Sequence, residues 1–311
     1  MRDVKVRSPC SSANLGSGFD AFGLALEAFH DTLTLELTDG GVEIEVTGVG
    51  AEEIPTAPDR NTAGLVAKEI LKNRDVGVRI RLHKGVPLRM GLGSSGASAA
   101  ACAFGLNELL DLELSEDEII RWAAVGEEAA AGASHADNVA ASVLGGFTIV
   151  RTYGDSLSAV RLEPPPNLWV ALALPSIETA ESKTAAARAV LPSHVPFKHA
   201  VLNIQNAAMV VAGFHIGDVE MIGRGMTDLI VEPYRKKLIP GYEPVKMAAL
   251  NAGAAGVAIS GAGPGVIAVI DSSKTSPRDV AEAMREAFQD EGIECTACCC
   301  RPSLTGTERM S

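Results

Sequence analysis

Aromatic residues make up only 4% of this 311-residue chain, so few rings are available to stack on nucleic-acid bases. Positive charge is also scarce. Lys and Arg number 27 against 39 Asp and Glu, a formal net charge of -12. A polyanion partner is not expected, because binding a phosphate backbone takes a basic face; the acidity reads as solubility. No stretch approaches the roughly 18 uninterrupted apolar residues of a membrane span. Met1-Arg2-Asp3-Val4-Lys5 is followed by no apolar run, so a signal peptide is not expected and a cytoplasmic location is. Internal repeats and low-complexity tracts are missing. Cys295-Thr-Ala-Cys298 has metal or redox spacing, and Cys299 and Cys300 follow it. A zinc site needs a second ligand pair, and neither a separate CxxC nor an HxxxH is found. The tract reads instead as an apolar terminal strand in a reducing compartment.

Apolar residues, at 47%, are enough for a substantial core, and the length fits two domains at about 150 residues each. Leu33, Leu35 and Leu37, then Val42, Ile44 and Val46, alternate with polar neighbours around Asp39-Gly40-Gly41, which predicts a hairpin. A helix follows over 61–73. Val76, Val78, Ile80 and Leu82 form another alternating strand, and a helix of small residues is expected over 99–110. Ser115-Glu-Asp-Glu118 is a capping box opening a helix to about 131. A domain joint is placed near 153–166, dividing the chain into 1–155 and 156–311. Beyond it come a strand over 168–174, helices near 197–214, 217–230 and 242–252, two apolar strands within 255–270, a helix over 277–290 and a last strand over 292–300. Strands and helices mix without regular alternation, so the class is α+β.

Gly91-Leu92-Gly93-Ser94-Ser95-Gly96-Ala97-Ser98 carries the strongest local chemistry. Glycines let the backbone wrap an anion, and the following helix points its unpaired N–H groups at it. The match to G-x-G-x-x-G invites a dinucleotide reading, but a Rossmann loop directly ends a fully buried strand. Here a loop with Lys84, Pro87 and Arg89 intervenes, after a strand with one polar face. A Walker loop is excluded because no lysine follows Gly96.

The 116–131 helix has its apolar stripe at Ile119, Ile120, Ala123 and Ala124, and the next turn puts Glu127 on that stripe. A carboxylate pointing inward near a helix C-terminus needs a partner. Mg²⁺ suits it; a salt bridge to a buried Arg is the alternative.

Three blocks together resemble the homoserine kinase family, within the galactokinase–homoserine kinase–mevalonate kinase superfamily. They are Ser8-Pro-Cys-Ser-Ser-Ala-Asn14-Leu-Gly16-Ser-Gly18-Phe-Asp20-Ala-Phe-Gly-Leu, Pro87-Leu-Arg-Met-Gly91-Leu-Gly-Ser-Ser95, and Val257-Ala-Ile-Ser260-Gly-Ala-Gly-Pro264-Gly. His135-Ala-Asp-Asn138-Val, Thr184-Ala-Ala-Ala-Arg188 and Pro233-Tyr-Arg235 add to the likeness. It implies an N-terminal domain like domain 2 of ribosomal protein S5, a ferredoxin-like C-terminal domain, and substrates between them. It implies ATP and Mg²⁺, with L-homoserine as acceptor, and a homodimer. The loop residues Pro87, Leu88, Arg89, Met90, Gly91, Leu92, Gly93, Ser94, Ser95, Gly96, Ala97 and Ser98 would hold the nucleotide, with Asn61 near its base. Ser95 and Glu127 would hold the metal.

L-Homoserine is a zwitterion. Asp20 suits its ammonium; Arg188 and Arg235 suit its carboxylate, since guanidinium binds carboxylate bidentately. Asn14, His135, Asn138 and Thr184 would complete the pocket. Asn138, Arg188, Ser95 and Glu127 form the expected catalytic set. Several relatives use an Asp as base where this chain has Asn138, which cannot take a proton. The likeness implies attack without a dedicated base, with His135 the rival acceptor of the proton. Two departures stand out: Gly96 where Ala is common, and Gly265 where Thr or Ser is usual. A sister kinase for shikimate or mevalonate, and a regulatory protein retaining the fold, are the competing readings.

Overall fold

Val4, Val6, Leu33, Leu35, Val78, Ile80 and Leu82 turn into one apolar cluster, as the period-two pattern requires. The computed structural model describes residues 3–131, 136–154, 156–177 and 183–310. The first sheet contains β1 (Asp3–Ala13), β2 (Phe22–Thr38), β3 (Val42–Gly48) and β4 (Gly77–Lys84), with α1 (Thr62–Leu71) between the last two. Its order is β1-β2-β4-β3. The expected hairpin at 39–41 therefore does not pair. β4 enters between its arms, with Leu35 opposite Ile80 on the antiparallel side and Ile44 opposite Ile80 on the parallel side. The cause is α1. A parallel β3-α1-β4 crossover buries Val66, Ala67 and Ile70 against the sheet, a gain that a short hairpin turn cannot match.

Three further helices join α1 in this core: α2 (Ser94–Leu110), α3 (Glu116–Ala131) and α4 (Ala136–Leu144). α2 begins within the glycine-serine loop, five positions before the expected start at 99. Its Ala97, Ala99, Ala100, Ala101 and Ala103 are fully buried, and their small size lets the helix lie close to β1 and β2. At α3 the capping box closes: Ser115 N donates to Glu118 Oε2 at 2.9 Å, and Glu118 N to Ser115 Oγ at 3.4 Å.

β5 (Phe147–Tyr153) pairs with β2 and with β6 (Ser156–Leu162), where Tyr153 faces Ser156. The expected boundary at 155/156 falls inside this hairpin. The chain leaves the first sheet only after β6, and Pro164, Pro165 and Pro166 precede the next strand. It then builds β7 (Leu168–Pro175), α5 (Lys183–Ala189), α6 (Phe197–Ile216), α7 (Val219–Gly225), α8 (Glu232–Arg235) and α9 (Tyr242–Asn251). β8 (Gly256–Ile259), β9 (Val266–Asp271), α10 (Pro277–Asp290) and β10 (Cys295–Cys300) complete an antiparallel sheet of order β10-β7-β9-β8. That order and connectivity are ferredoxin-like. A short β11 (Glu308–Arg309) returns to β1. The helix expected over 217–230 stops at Gly225. Just beyond, Asp228 accepts from the backbone of Ile230, Val231 and Glu232, an arrangement that competes with helix continuation.

The two sheets share a second cluster, with Leu15, Leu24 and Leu92 from one side and Leu172, Phe214 and Ile267 from the other. Phe147 and Phe214 stack across it with ring centroids 3.9 Å apart.

Candidate active site

The phosphate-type loop ends at the N-terminus of α2, where the N-cap Gly93 has φ 62° and no side chain to cap the first backbone N–H groups. Both domains hold the loop. Ser11 N donates to Leu92 O at 3.0 Å, and Ser260 Oγ donates to Gly91 O at 2.7 Å. Gly91 must be glycine: its φ is +73°, and a Cβ would lie 2.0 Å from Ser260 O. The same crowding explains Gly265, where a Cβ would lie 2.3 Å from Met90 O, so a Thr or Ser has no room here. Gly96 is different; its Cβ would meet Asn138 Cβ at an ordinary 3.4 Å.

The loop candidates divide by direction. Leu92 and Ala97 are buried in the core, whereas Ser95 is exposed. Leu88, Ser94, Ser95 and Ser98 line a cleft with Asn61 and Lys84. Pro87 and Met90 are partly exposed on the same turn, and Arg89 reaches Glu53 at 2.9 Å. Asn61 is the N-cap of α1. Its Oδ1 accepts from Ala63 N and Gly64 N, and its Nδ2 donates to Pro55 O. Its side-chain amide is thus engaged in holding the cleft wall.

Glu127 is 2% exposed and accepts from Ser95 Oγ at 2.9 Å. The inward placement read from the helical stripe is where the structure puts it. A hydroxyl and a carboxylate oxygen side by side, next to an anion-binding helix start, make a hard-oxygen pair of the kind Mg²⁺ takes beside nucleotide phosphates.

Sequence reasoning overlooked Asp31 and Lys84, which lie under the loop at 0% and 2% exposure. Lys84 Nζ donates to Asp31 Oδ2, to Ser94 O at 2.8 Å and to Ser98 Oγ at 2.9 Å. Burial pushes the Lys84 ammonium below the usual lysine range, and Asp31 opposes that shift.

Across the domain junction, Asn14, Asp20, Arg188 and Arg235 come together around Phe19 and Gly261. Gly261 O accepts from Asn14 Nδ2 at 2.9 Å and from Arg235 Nη1 at 3.0 Å. Asn14 Oδ1 accepts from Asp20 N at 3.0 Å. Arg188 and Arg235 lie over the Phe19 ring, 5.6 and 5.0 Å from its centroid. Arg235 is buried, and desolvation lowers its pKa. Thr184 lies one turn before Arg188 on α5, which places the two on one face. Asn138 stands at the start of α4 against the phosphate loop, its Oδ1 accepting from Ser11 Oγ at 3.0 Å. His135 lies outside the described residues.

This architecture, a phosphate loop opening α2 beside a ferredoxin-like domain, has known counterparts. The GHMP kinases N terminal domain model matches residues 61–146, and the GHMP kinases C terminal model matches residues 210–290. The homoserine kinase of Natronomonas pharaonis is 46% identical over 294 residues, 94% of this chain and 96% of that one. A crystal structure of homoserine kinase from Cytophaga hutchinsonii has a TM-score of 0.91 at 36% identity, covering 100% of this chain and 98% of its own. The L. major mevalonate kinase, at 16% identity and TM-score 0.69 over 97% of this chain and 96% of its own, shares the fold. The chain belongs to the GHMP kinases, in their homoserine kinase family.

Proposed function

We propose that this chain transfers the γ-phosphate of ATP to the hydroxyl of L-homoserine, giving O-phospho-L-homoserine for threonine biosynthesis. The observation that carries the reading is the acceptor side of the cleft. Two guanidinium groups lie against the Phe19 ring, and the Asp20 carboxylate pairs with one of them, a charge pattern complementary to an amino-acid zwitterion. A mevalonate acceptor has no ammonium for Asp20 to meet, and a shikimate acceptor has none either.

Phosphoryl transfer depends on positioning and charge neutralisation more than on covalent help. In this reading the backbone of residues 91–96 and the N-terminus of α2 hold the triphosphate. Arg188 and Arg235 take the substrate carboxylate and Asp20 takes the ammonium, with Asn14, Thr184 and Asn138 completing the pocket and His135 assigned to it by the family likeness alone. That clamp directs the hydroxyl toward the γ-phosphate. Asn138, its Oδ1 already accepting from Ser11, orients and does not take the proton; the proton leaves to phosphate or water. Ser95 and Glu127 would hold Mg²⁺, which when bound supplies charge neutralisation at the phosphates. A cytoplasmic homodimer belongs to the reading on the strength of the kinship.

The test is incubation with magnesium and ATP against a panel of L-homoserine, shikimate, mevalonate, L-serine and L-threonine, read by mass spectrometry. Phosphohomoserine is expected, with a loss of about 100-fold or more in Glu127→Gln, the scale set by removing a charged group that acts on developing charge. Product from another acceptor alone would overturn the clamp; no product from any acceptor, with ATP still bound, would overturn the kinase reading.

A further inference from the structure

The span from Gly85 to Ser98 is fastened at both ends to one buried carboxylate. At its start, Asp31 Oδ1 accepts from Gly85 N and Val86 N, both at 3.1 Å. At its end, Asp31 Oδ2 accepts from Ser98 Oγ at 2.7 Å and from the Lys84 ammonium. Lys84 then reaches Ser94 O at 2.8 Å, the carbonyl just before Ser95. Ser94 Oγ closes the ring by donating to Val86 O at 3.0 Å. Asp31 is 0% exposed and Lys84 2% exposed. So expensive a burial of two charges is not an efficient source of stability, yet the pair sits directly behind the anion-binding turn. A further charge, Glu127 of α3, is near enough to favour the charged form of Lys84.

We infer that Asp31 is a positioning residue for nucleotide binding: through Lys84 and Ser98 it fixes the turn at Ser94 in the shape that receives the phosphates. The loop is then set before the nucleotide arrives, and its backbone N–H groups need not reorganise on binding. Asp31 touches neither substrate. Its effect falls on the nucleotide side of the cleft and leaves the clamp of Arg188 and Arg235 untouched.

The inference leans on the ATP-dependent reading only for the identity of the nucleotide, so the test is equilibrium binding of ATP, with magnesium and no acceptor, by titration calorimetry. Asp31→Asn keeps an acceptor for Gly85 and Val86 but strips the counter-charge from Lys84. The double variant Asp31→Asn with Lys84→Met removes both charges and with them the unpaired buried ammonium. Ser98→Ala removes one strut alone. Losing a charge-assisted hydrogen bond in the fastening is expected to weaken ATP binding about tenfold in Asp31→Asn, and about threefold in Ser98→Ala. The double variant is expected to recover thermal stability relative to Asp31→Asn while ATP binding stays weak, a split that a purely structural ion pair would not give. If Asp31→Asn does not fold, the other two variants carry the comparison. ATP affinity within about twofold of wild type in every folded variant would overturn the inference. A wild type that binds ATP yet phosphorylates no homoserine would sink the acceptor reading and leave this one standing.

Discussion

Arg188 and Asp20 meet through two parallel hydrogen bonds, Nη1 to Oδ2 and Nη2 to Oδ1, each 3.0 Å long. Each belongs to the group proposed for one end of the zwitterion, and without a substrate they satisfy each other. Their side chains are 35% and 44% exposed, so the pair contributes about 1 kcal/mol or less and opens cheaply. An incoming amino acid replaces one ion pair with two. Arg188→Met is therefore expected to raise the KM for L-homoserine by about 30- to 100-fold, the cost of a lost charged fork, while the KM for ATP stays near wild type. Asp20→Asn should act in the same direction. Because the two are in contact, the double variant should lose less than the sum of the singles. Steady-state kinetics with each substrate varied in turn decide it; equal losses for ATP and homoserine would remove the clamp assignment.

Two glycines of one loop should respond differently to the same added methyl group. At Gly91 the Cβ would sit 2.0 Å from a backbone carbonyl at φ +73°, so Gly91→Ala must push the loop away from Ser260. A loss of about 100-fold or more in kcat/KM is expected, with a lower Tm, since displacements near 1 Å cost that much in a positioned site. At Gly96 the nearest atom would be 3.4 Å away, and Gly96→Ala should stay within about threefold of wild type. Comparable damage from both would mean that the loop is not shaped by this contact.

The loop and Glu127 were legible in the sequence because each breaks a local rule: a run of small residues where a helix begins, and a carboxylate on an apolar stripe. The strand order was not legible. The Asp39-Gly40-Gly41 turn is a sound hairpin signal, and only the burial of α1 between β3 and β4 overrides it. Asp31 and Lys84 were present in the pattern without being seen. Asp31 continues the inward phase of Leu33 and Leu35, and Lys84 that of Ile80 and Leu82. Two charges of opposite sign, each in phase with a buried set, mark a buried pair. The pairing of Asp20 with Arg188 spans 168 positions, and nothing in the local sequence around either residue announces it.

The buried thiols make the protein sensitive to alkali. Burial pushes the Cys10 thiol from 9.0 up to about 12 and the Cys295 thiol up to about 11, and raises Cys102 and Cys300 as well. The unfolded chain releases these protons near pH 9, while the folded chain keeps them. The unfolded state thus binds fewer protons above that pH, and stability falls as pH rises. The thiols' contribution is complete below about pH 8.5 and is lost progressively toward the folded-state values, at up to about 1.4 kcal/mol per pH unit for each fully shifted group. Thermal melts at pH 8, 9 and 10 under reducing conditions should show Tm dropping at each step, by roughly 5 °C or more over the range. Tyr242, also raised by burial, acts in the same direction only above about pH 10, so the step from pH 8 to 9 reports on the cysteines and not on it. Cys10→Ala and Cys102→Ala should each lower the Tm at pH 8 through lost packing yet flatten its decline. A variant decline as steep as that of the wild type would trace the alkaline sensitivity to other groups.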